Sequence, residues 1–339
     1  MFRFTPHSVL VTGGAGFIGS HFVRYALQAD SSVSIINLDA LTYAGSRNNL
    51  EDVWDSDRHV FVQGDICDQD LVQSLLRKYE IDTMVHFAAE SHVDRAIAGP
   101  GVFIRTNVQG TFTLLEEARK FWLDEKRWDD ARCRFHHIST DEVYGTLGPD
   151  DPPFTETTPY APNSPYSASK AASDHLVRAY QHTYQLPTTT TNCSNNYGPY
   201  QHQEKFIPTV IRSCLNGQPI PVYGDGSNVR DWLYVEDHCV GVWKVIENGR
   251  IGETYNIGGT NNWSNLEIAK ILCRTVADLT AKKEEKFLQL ISFVTDRPGH
   301  DWRYAIDSQK IQNELGWQTA NEFEAGIRKT VEWYLARSS

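Results

Sequence analysis

Val9-Leu10-Val11-Thr12-Gly13-Gly14-Ala15-Gly16-Phe17-Ile18-Gly19 runs from a short β-rich stretch through spaced glycines into a helical segment. Strand, glycine turn and helix in that order make the opening of a parallel α/β unit. Gly13 suits a sharp turn, Gly16 lets a phosphate approach the backbone, and Gly19 lets the helix lie close on the sheet, with the helix N-terminus facing the anion. Asp39, twenty residues past Gly19, ends the second predicted strand. A carboxylate there accepts from ribose hydroxyls and repels a 2′-phosphate, which selects NAD over NADP. Asp65-Ile66, after the third strand, is placed to meet the adenine, and Ala88-Ala89, after the fourth, are small enough to let a dinucleotide pass.

Outward from this turn, short β-rich runs at 8–12, 33–38, 59–63, 83–88 and 134–139 alternate with helical runs at 16–28, 70–78, 103–120 and 165–182; a further strand reads at 187–191. That rhythm predicts an α/β fold, a doubly wound parallel (Rossmann) sheet. Beyond about residue 195 the pattern loosens into Gly-, Pro- and Asn-rich loops with short helices at 265–278 and 325–335, as expected of a smaller C-terminal α/β substrate-binding lobe. The expected division is a dinucleotide domain over 1–194, to which 229–250 returns, and a substrate domain mainly over 195–339.

A length of 339 residues allows two well-buried cores, and 40% hydrophobic with 22% charged residues is ordinary for a globular chain. A net charge of -11 argues against nucleic acid or an anionic membrane as the main partner, but leaves an anionic small molecule open, since a cleft can carry its own local field. The apolar runs are too short or too interrupted to span a bilayer, and residues 1–7 lack the form of a secretion signal. Six cysteines without a C-x-x-C pair predict free thiols in a reducing compartment, hence a cytoplasmic protein. No metal is expected: His136-His137 point to opposite faces of a strand, and His86 and His92 lack ligand spacing.

Tyr166-Ser167-Ala168-Ser169-Lys170 sets a phenol and an ammonium at i and i+4 on one helix face. A free tyrosine titrates near pH 10, about three units too high for a base at neutral pH; a neighbouring cation is expected to lower that value. With Gly13, Gly16 and Gly19, this pair resembles the extended short-chain dehydrogenase/reductase family. Thr140 stands where that family places the hydroxyl that orients the reacting alcohol. Asp141-Glu142, directly after it, adds two carboxyls at the carboxyl end of a parallel strand. Such a pair can divide into acid and base, and elimination of water beside a ketone needs both. A sugar epimerase, a decarboxylase or an NAD-binding protein without activity needs neither.

The chain as a whole resembles the nucleotide-sugar 4,6-dehydratases of that family. The resemblance is carried by Leu38-Asp39-Ala40-Leu41-Thr42-Tyr43-Ala44-Gly45, by His86-Phe87-Ala88-Ala89-Glu90-Ser91-His92-Val93-Asp94-Arg95, by Asn195-Asn196-Tyr197-Gly198-Pro199-Tyr200-Gln201, by Arg230-Asp231-Trp232 and by Asp296-Arg297-Pro298-Gly299-His300-Asp301. It implies dTDP-glucose as substrate and a closed redox cycle. Tyr166, aided by Lys170 and Thr140, takes the C4 hydroxyl proton; Glu142 removes the C5 hydrogen; Asp141 protonates the departing C6 hydroxyl; the hydride then returns to C6. Phe17, Ile18, Thr42 and Thr106 are the remaining expected cofactor contacts. Ser91 is expected at the glucose, Asn195, Arg230 and His300 at the diphosphate and sugar, Glu204 and Lys205 at the base, and Asn265 beside the phosphates. Two positions depart from the family pattern: Gln203 where a Pro is usual, and Trp302 where an Arg is usual. The first bears on the base and makes UDP-glucose the second substrate to consider. The resemblance also implies a homodimer through helices 103–120 and 165–182.

Overall fold

The computed structural model describes residues 3–337. Its strands are β1 (Ser8–Thr12), β2 (Ser34–Asp39), β3 (His59–Gln63), β4 (Thr83–His86), β5 (Arg134–Thr140), β6 (Thr188–Cys193), β7 (Asn195–Tyr197), β8 (Ile220–Tyr223), β9 (Val229–Tyr234), β10 (Thr254–Ile257), β11 (Asn262–Ser264) and β12 (Ile291–Val294). Seven of them form one sheet in the order β3-β2-β1-β4-β5-β6-β10, and every pairing in it is parallel. Val9 of β1 lies opposite Ile35 of β2 on one side and Thr83 of β4 on the other. Strand order therefore reverses at β1, and a crevice opens there beyond the carboxyl ends of the strands.

The helices in chain order are α1 (Phe17–Ala29), α2 (Gln69–Lys78), α3 (Val93–Ala98), α4 (Gly101–Phe103), α5 (Thr111–Ala118), α6 (Pro165–Tyr184), α7 (Phe206–Asn216), α8 (Val235–Asn248), α9 (Asn265–Thr280), α10 (Glu285–Leu288), α11 (Gln309–Leu315) and α12 (Phe323–Arg337). On one face of the large sheet Phe22 and Val23 of α1 join Val242, Trp243 and Ile246 of α8 in a common core. On the other, Leu75 and Leu76 of α2, Leu114 and Leu115 of α5 and Val177 of α6 form a second. Coverage on both faces explains why all seven residues of β5 are buried, polar ones included. Each large aliphatic or aromatic side chain so buried contributes about 1.5–3 kcal/mol.

A separate core belongs to the smaller lobe, where Ile207, Val210 and Ile211 of α7, Ile268 and Leu272 of α9 and Phe323 and Val331 of α12 enclose the β7–β9–β11 sheet. The chain passes between the lobes more than once: β9 pairs with β7 in the small sheet, α8 packs on the large one, and β10 closes the large sheet beside β6.

The helix expected over 103–120 is longer and less regular. It starts at α4 and continues to Glu125, with π-helical stretches at Ile104–Gly110 and Arg119–Glu125. The i→i+5 bond leaves no mark in a pattern of apolar residues, and such bulges gather at functional sites. α6 begins as its sequence dictates. Ser164 Oγ accepts from Ser167 N at 3.0 Å, Ser167 Oγ accepts from Ser164 N at 3.1 Å, and Pro165 sits in the first turn. Among the described residues no helix is long and apolar enough to cross a membrane, and no three His, Cys, Asp or Glu side chains are gathered to hold a metal. His136 and His137 are both buried, the first between Thr189 and Thr191, the second against Asp174.

Candidate active site

The glycine turn is built as tightly as the spacing demands. Gly13 has φ +72°, and a Cβ on it would stand 2.7 Å from the Ala88 nitrogen at the end of β4. A Cβ on Gly19 would run into the Gly13 carbonyl and 2.8 Å from Gly14 Cα, so α1 rests directly on the turn. At Gly16, the residue that caps α1, the nearest atom to a Cβ is the Gly13 oxygen at 3.2 Å. Asp39 accepts from Ala15 N at 2.9 Å and from Leu41 N at 2.8 Å, so its carboxylate is aimed before any ligand arrives. Burial raises its pKa, and those two amides oppose the rise.

A cleft of ≈ 380 Å³ runs from this turn to the smaller lobe. Its wall takes in Gly13, Gly16, Phe17, Ile18 and Gly19 from the turn, and Asp39 and Thr42 from the end of β2. Asp65, Ile66, Ala88, Ala89 and Thr106 line it as well, so every residue expected to touch the dinucleotide lies on one surface. Small glycine contacts, a free helix N-terminus and a pre-aimed carboxylate suit an adenine dinucleotide that carries an unmodified ribose.

Thr140, Glu142, Tyr166 and Lys170 share that surface. Asp141 does not; it lies just behind, 1% exposed, in the short 3-10 turn that Thr140 caps. Thr140 Oγ1 donates to Asp141 Oδ1 at 3.3 Å, while Asp141 Oδ2 is buried without a protein partner. Burial first, then Glu142 and Asp231, push the Asp141 carboxyl well above its ordinary pKa. Glu142 is raised by burial too, but Arg297, Arg230 and Lys205 pull it back. One carboxyl is therefore pushed toward its protonated form while its neighbour sits in a field of cations.

The phenol departs from expectation. Tyr166 has its pKa pushed well above the ordinary value by burial, then by Glu142 and Cys193, and only the hydrogen bond with Thr140 clearly opposes. Lys170 is not among the groups that oppose the rise, and its Nζ donates to the Ile138 carbonyl at 2.7 Å. Desolvation outweighs the i, i+4 neighbour here.

The residues expected at the sugar nucleotide divide. Ser91, Asn195 and Lys205 line the cleft, and Lys205 Nζ donates to the Ser91 carbonyl at 2.9 Å. Glu204 lies at the rim, paired with Arg95 at 2.8 Å. Arg230 is buried, with its guanidinium donating to the carbonyls of Val229, Asp301 and Trp302. His300 Nδ1 is 2.6 Å from Asp296 Oδ1, and Asn265 opens α9; none of these four forms the cleft wall. The charge of Arg230 still reaches in, since it acts on both Asp141 and Glu142.

Two contributors were not singled out from the sequence. Arg297 acts on Glu142 and keeps a buried Nε without a partner; it lies in the Asp296–Asp301 segment, whose charge density was the available signal. Asn107 accepts from Glu90 N at 2.8 Å and donates to Ser169 Oγ at 2.8 Å, tying the loop after β4 to α6. It sits in a π-helical stretch and had no signal.

The profile of the GDP-mannose 4,6 dehydratase family matches residues 10–330. A dTDP-glucose 4,6-dehydratase of Neisseria gonorrhoeae is 55% identical over 331 residues, covering 97% of this chain and 95% of that protein. The crystal structure of a dTDP-glucose 4,6-dehydratase of Streptomyces venezuelae, with NAD and TYD bound, is similar at a TM-score of 0.87 and 48% identity, over 97% of each chain. A UDP-glucose 4-epimerase of Thermotoga maritima, solved with UDP-glucose, reaches a TM-score of 0.85 at 26% identity, over 98% of this chain and 100% of that one. Fold similarity is thus shared by dehydratases and epimerases, and the choice between them falls to the residues of the site.

Proposed function

The chain belongs to the family of nucleotide-sugar 4,6-dehydratases, and from that premise we propose that it removes water from dTDP-glucose to give dTDP-4-keto-6-deoxyglucose. The observation that carries this reading is the adjacent pair Asp141 and Glu142 at the end of β5, with one carboxyl driven well above its usual pKa and the other surrounded by cations. An epimerase has no use for that pair.

NAD would be held by the Gly13–Gly19 turn and by Asp39 at the adenosine ribose; when bound, it supplies a hydride acceptor that is regenerated within the cycle. Tyr166 Oη takes the proton of the C4 hydroxyl, with Thr140 Oγ1 as its hydrogen-bond partner and the Lys170 ammonium one helical turn away on the same face. Glu142, ionised, removes the proton from C5, which the ketone at C4 has made acidic. Asp141, protonated, delivers its proton to the C6 hydroxyl, and that group leaves as water. Arg230, Arg297 and His300 are the donor side of the substrate lobe, suited to a diphosphate, and Lys205 is proposed with Glu204 at the base. Ser91, Asn195, Glu204 and Asn265 complete the contacts proposed for the sugar nucleotide. Residues 1–194 are the proposed cofactor domain, with 229–250 returning to it, and 195–339 mainly the sugar-nucleotide domain.

UDP-glucose is the second reading, because Gln203 immediately precedes the Glu204-Lys205 pair assigned to the base. Six free thiols support a cytoplasmic setting. A homodimer is supported by Ile97, Val102, Ile104 and Phe112, large apolar side chains exposed along the α3–α5 stretch. The deciding experiment incubates the protein with dTDP-glucose and with UDP-glucose in turn, without added reductant, and follows the sugar nucleotide by mass spectrometry. Loss of one water without net NADH is the expected result, faster for the thymidine nucleotide; an unchanged mass with both would overturn the dehydratase reading.

A further inference from the structure

Behind the cleft lies a buried carboxyl that the chemistry above does not use. Asp174 stands one turn beyond Lys170 on α6 and is 7% exposed. Its Oδ2 accepts from Ser139 Oγ at 2.7 Å, and its Oδ1 is 3.0 Å from His137 Nε2. His137 and Ser139 alternate along β5, so both side chains leave the strand on the same face. The residue between them is Ile138, whose carbonyl accepts from Lys170 Nζ at 2.7 Å. One carboxyl therefore grips the strand on either side of the peptide that holds the ammonium.

The protonation states follow from the surroundings. Burial, and then Lys170, push His137 well below its ordinary pKa, so the imidazole is neutral. Its Nδ1 has no partner, which assigns the single N–H to Nε2 and makes it a donor to Asp174. Burial pushes Asp174 up to about 6, opposed first by Lys170 and then by the hydrogen bonds of Ser139 and Tyr160 and by His175. It is thus ionised at neutral pH. Burial lowers Lys170, and Asp174 is the first group that counters it, ahead of Cys193.

The other titratable groups facing this pair are His86 of β4, His137 of β5, Cys193 of β6, Tyr166 and His175 of α6, and Tyr160 from the preceding loop. Burial holds His86 and His137 neutral, the Cys193 thiol is pushed up to about 12, and both phenols lie above their usual value. Among these groups Asp174 carries the negative charge.

We propose that Asp174 is a positioning residue for the Tyr166–Lys170 pair: it fixes β5 around the carbonyl that orients the ammonium and supplies the counter-charge that keeps Nζ protonated out of water. Its functional meaning rests on the reading of Tyr166 and Lys170 as the proton-transfer pair. Its physical content is measurable without turnover.

The test uses the full chain grown with isotopically labelled lysine, with the Lys170 resonance identified by its loss in Lys170→Arg and titrated by NMR. In Asp174→Asn the Lys170 midpoint is expected to fall by about one pH unit or more, as loss of a close opposite charge requires. KM for the sugar nucleotide should be unchanged; a merely structural role would lower Tm and leave the Lys170 midpoint in place. In the wild-type protein the Lys170 resonance should also carry a second, smaller inflection near pH 6, where Asp174 itself titrates. An unmoved Lys170 midpoint in folded Asp174→Asn overturns the proposal. If that variant does not fold, a wild-type Lys170 resonance without the inflection near pH 6 does so instead. Wild-type protein that dehydrates no sugar nucleotide would sink the dehydratase reading and leave the NMR comparison standing.

Discussion

Glu142 and Asp141 are neighbours in sequence, yet their surroundings give them different work. Glu142→Gln should lower kcat by about 10²–10⁴-fold, the range of a lost general base, with NAD affinity retained; product formation and cofactor titration measure the two separately. The pH dependence has a definite sign. Because Glu142 is raised above its ordinary pKa, the acid limb of kcat should lie above the value of a free glutamate, and activity should fall again at higher pH as Asp141 ionises. Asp141 also weighs on stability. A carboxyl whose folded pKa is raised destabilises the fold above its unfolded pKa of about 4, at about 1.4 kcal/mol for each pH unit of difference. Asp141→Asn should therefore raise Tm near pH 7 and leave it unchanged below about pH 4, while turnover is lost; calorimetry at the two pH values checks this. The identities of these residues were legible because motif and spacing are local. The state of Tyr166 was not, since it depends on how much water the fold removes. Asp174 was not either, because its partners His137 and Ser139 lie on a strand remote in sequence.

At the scale of elements, the β1–turn–α1 unit was readable because each glycine answers to a steric requirement within a few residues. The same closeness makes it brittle. Gly19→Ala must push α1 away from the Gly13 carbonyl, a change of the overpacking kind that costs about 1–3 kcal/mol. NAD affinity should fall at least tenfold, about the 1.4 kcal/mol that such a loss represents; denaturant unfolding and cofactor titration report the two effects. The stretch from α4 to Glu125 shows the opposite case. Its helical character was evident, but the π-helical stretch that carries Asn107 is tied to Glu90 and Ser169, which lie elsewhere in the sequence.

For the whole molecule, the parallel sheet was legible from the alternation of strand and helix, while the return of the chain to close it was only outlined by 229–250. The homodimer proposal is testable at this scale: Ile104, 54% exposed, lies on the apolar stretch assigned to the partner. Ile104→Asp should convert a dimer to monomer in light scattering, because burying an unpaired carboxylate is unfavourable; a wild type that is already monomeric would count against the proposal. The position of β10 also has a consequence during synthesis. The outer edge of β6 is complete once Cys193 has been made, but the strand that covers it begins only at Thr254. At about 5–20 residues per second the nascent sheet carries a bare edge for some seconds, with unpaired amides and carbonyls open to any neighbouring strand. A ribosome stalled in that interval would hold a sticky, half-closed sheet, so translation speed and chaperone cover between those two strands bear on how much of the protein reaches its folded form.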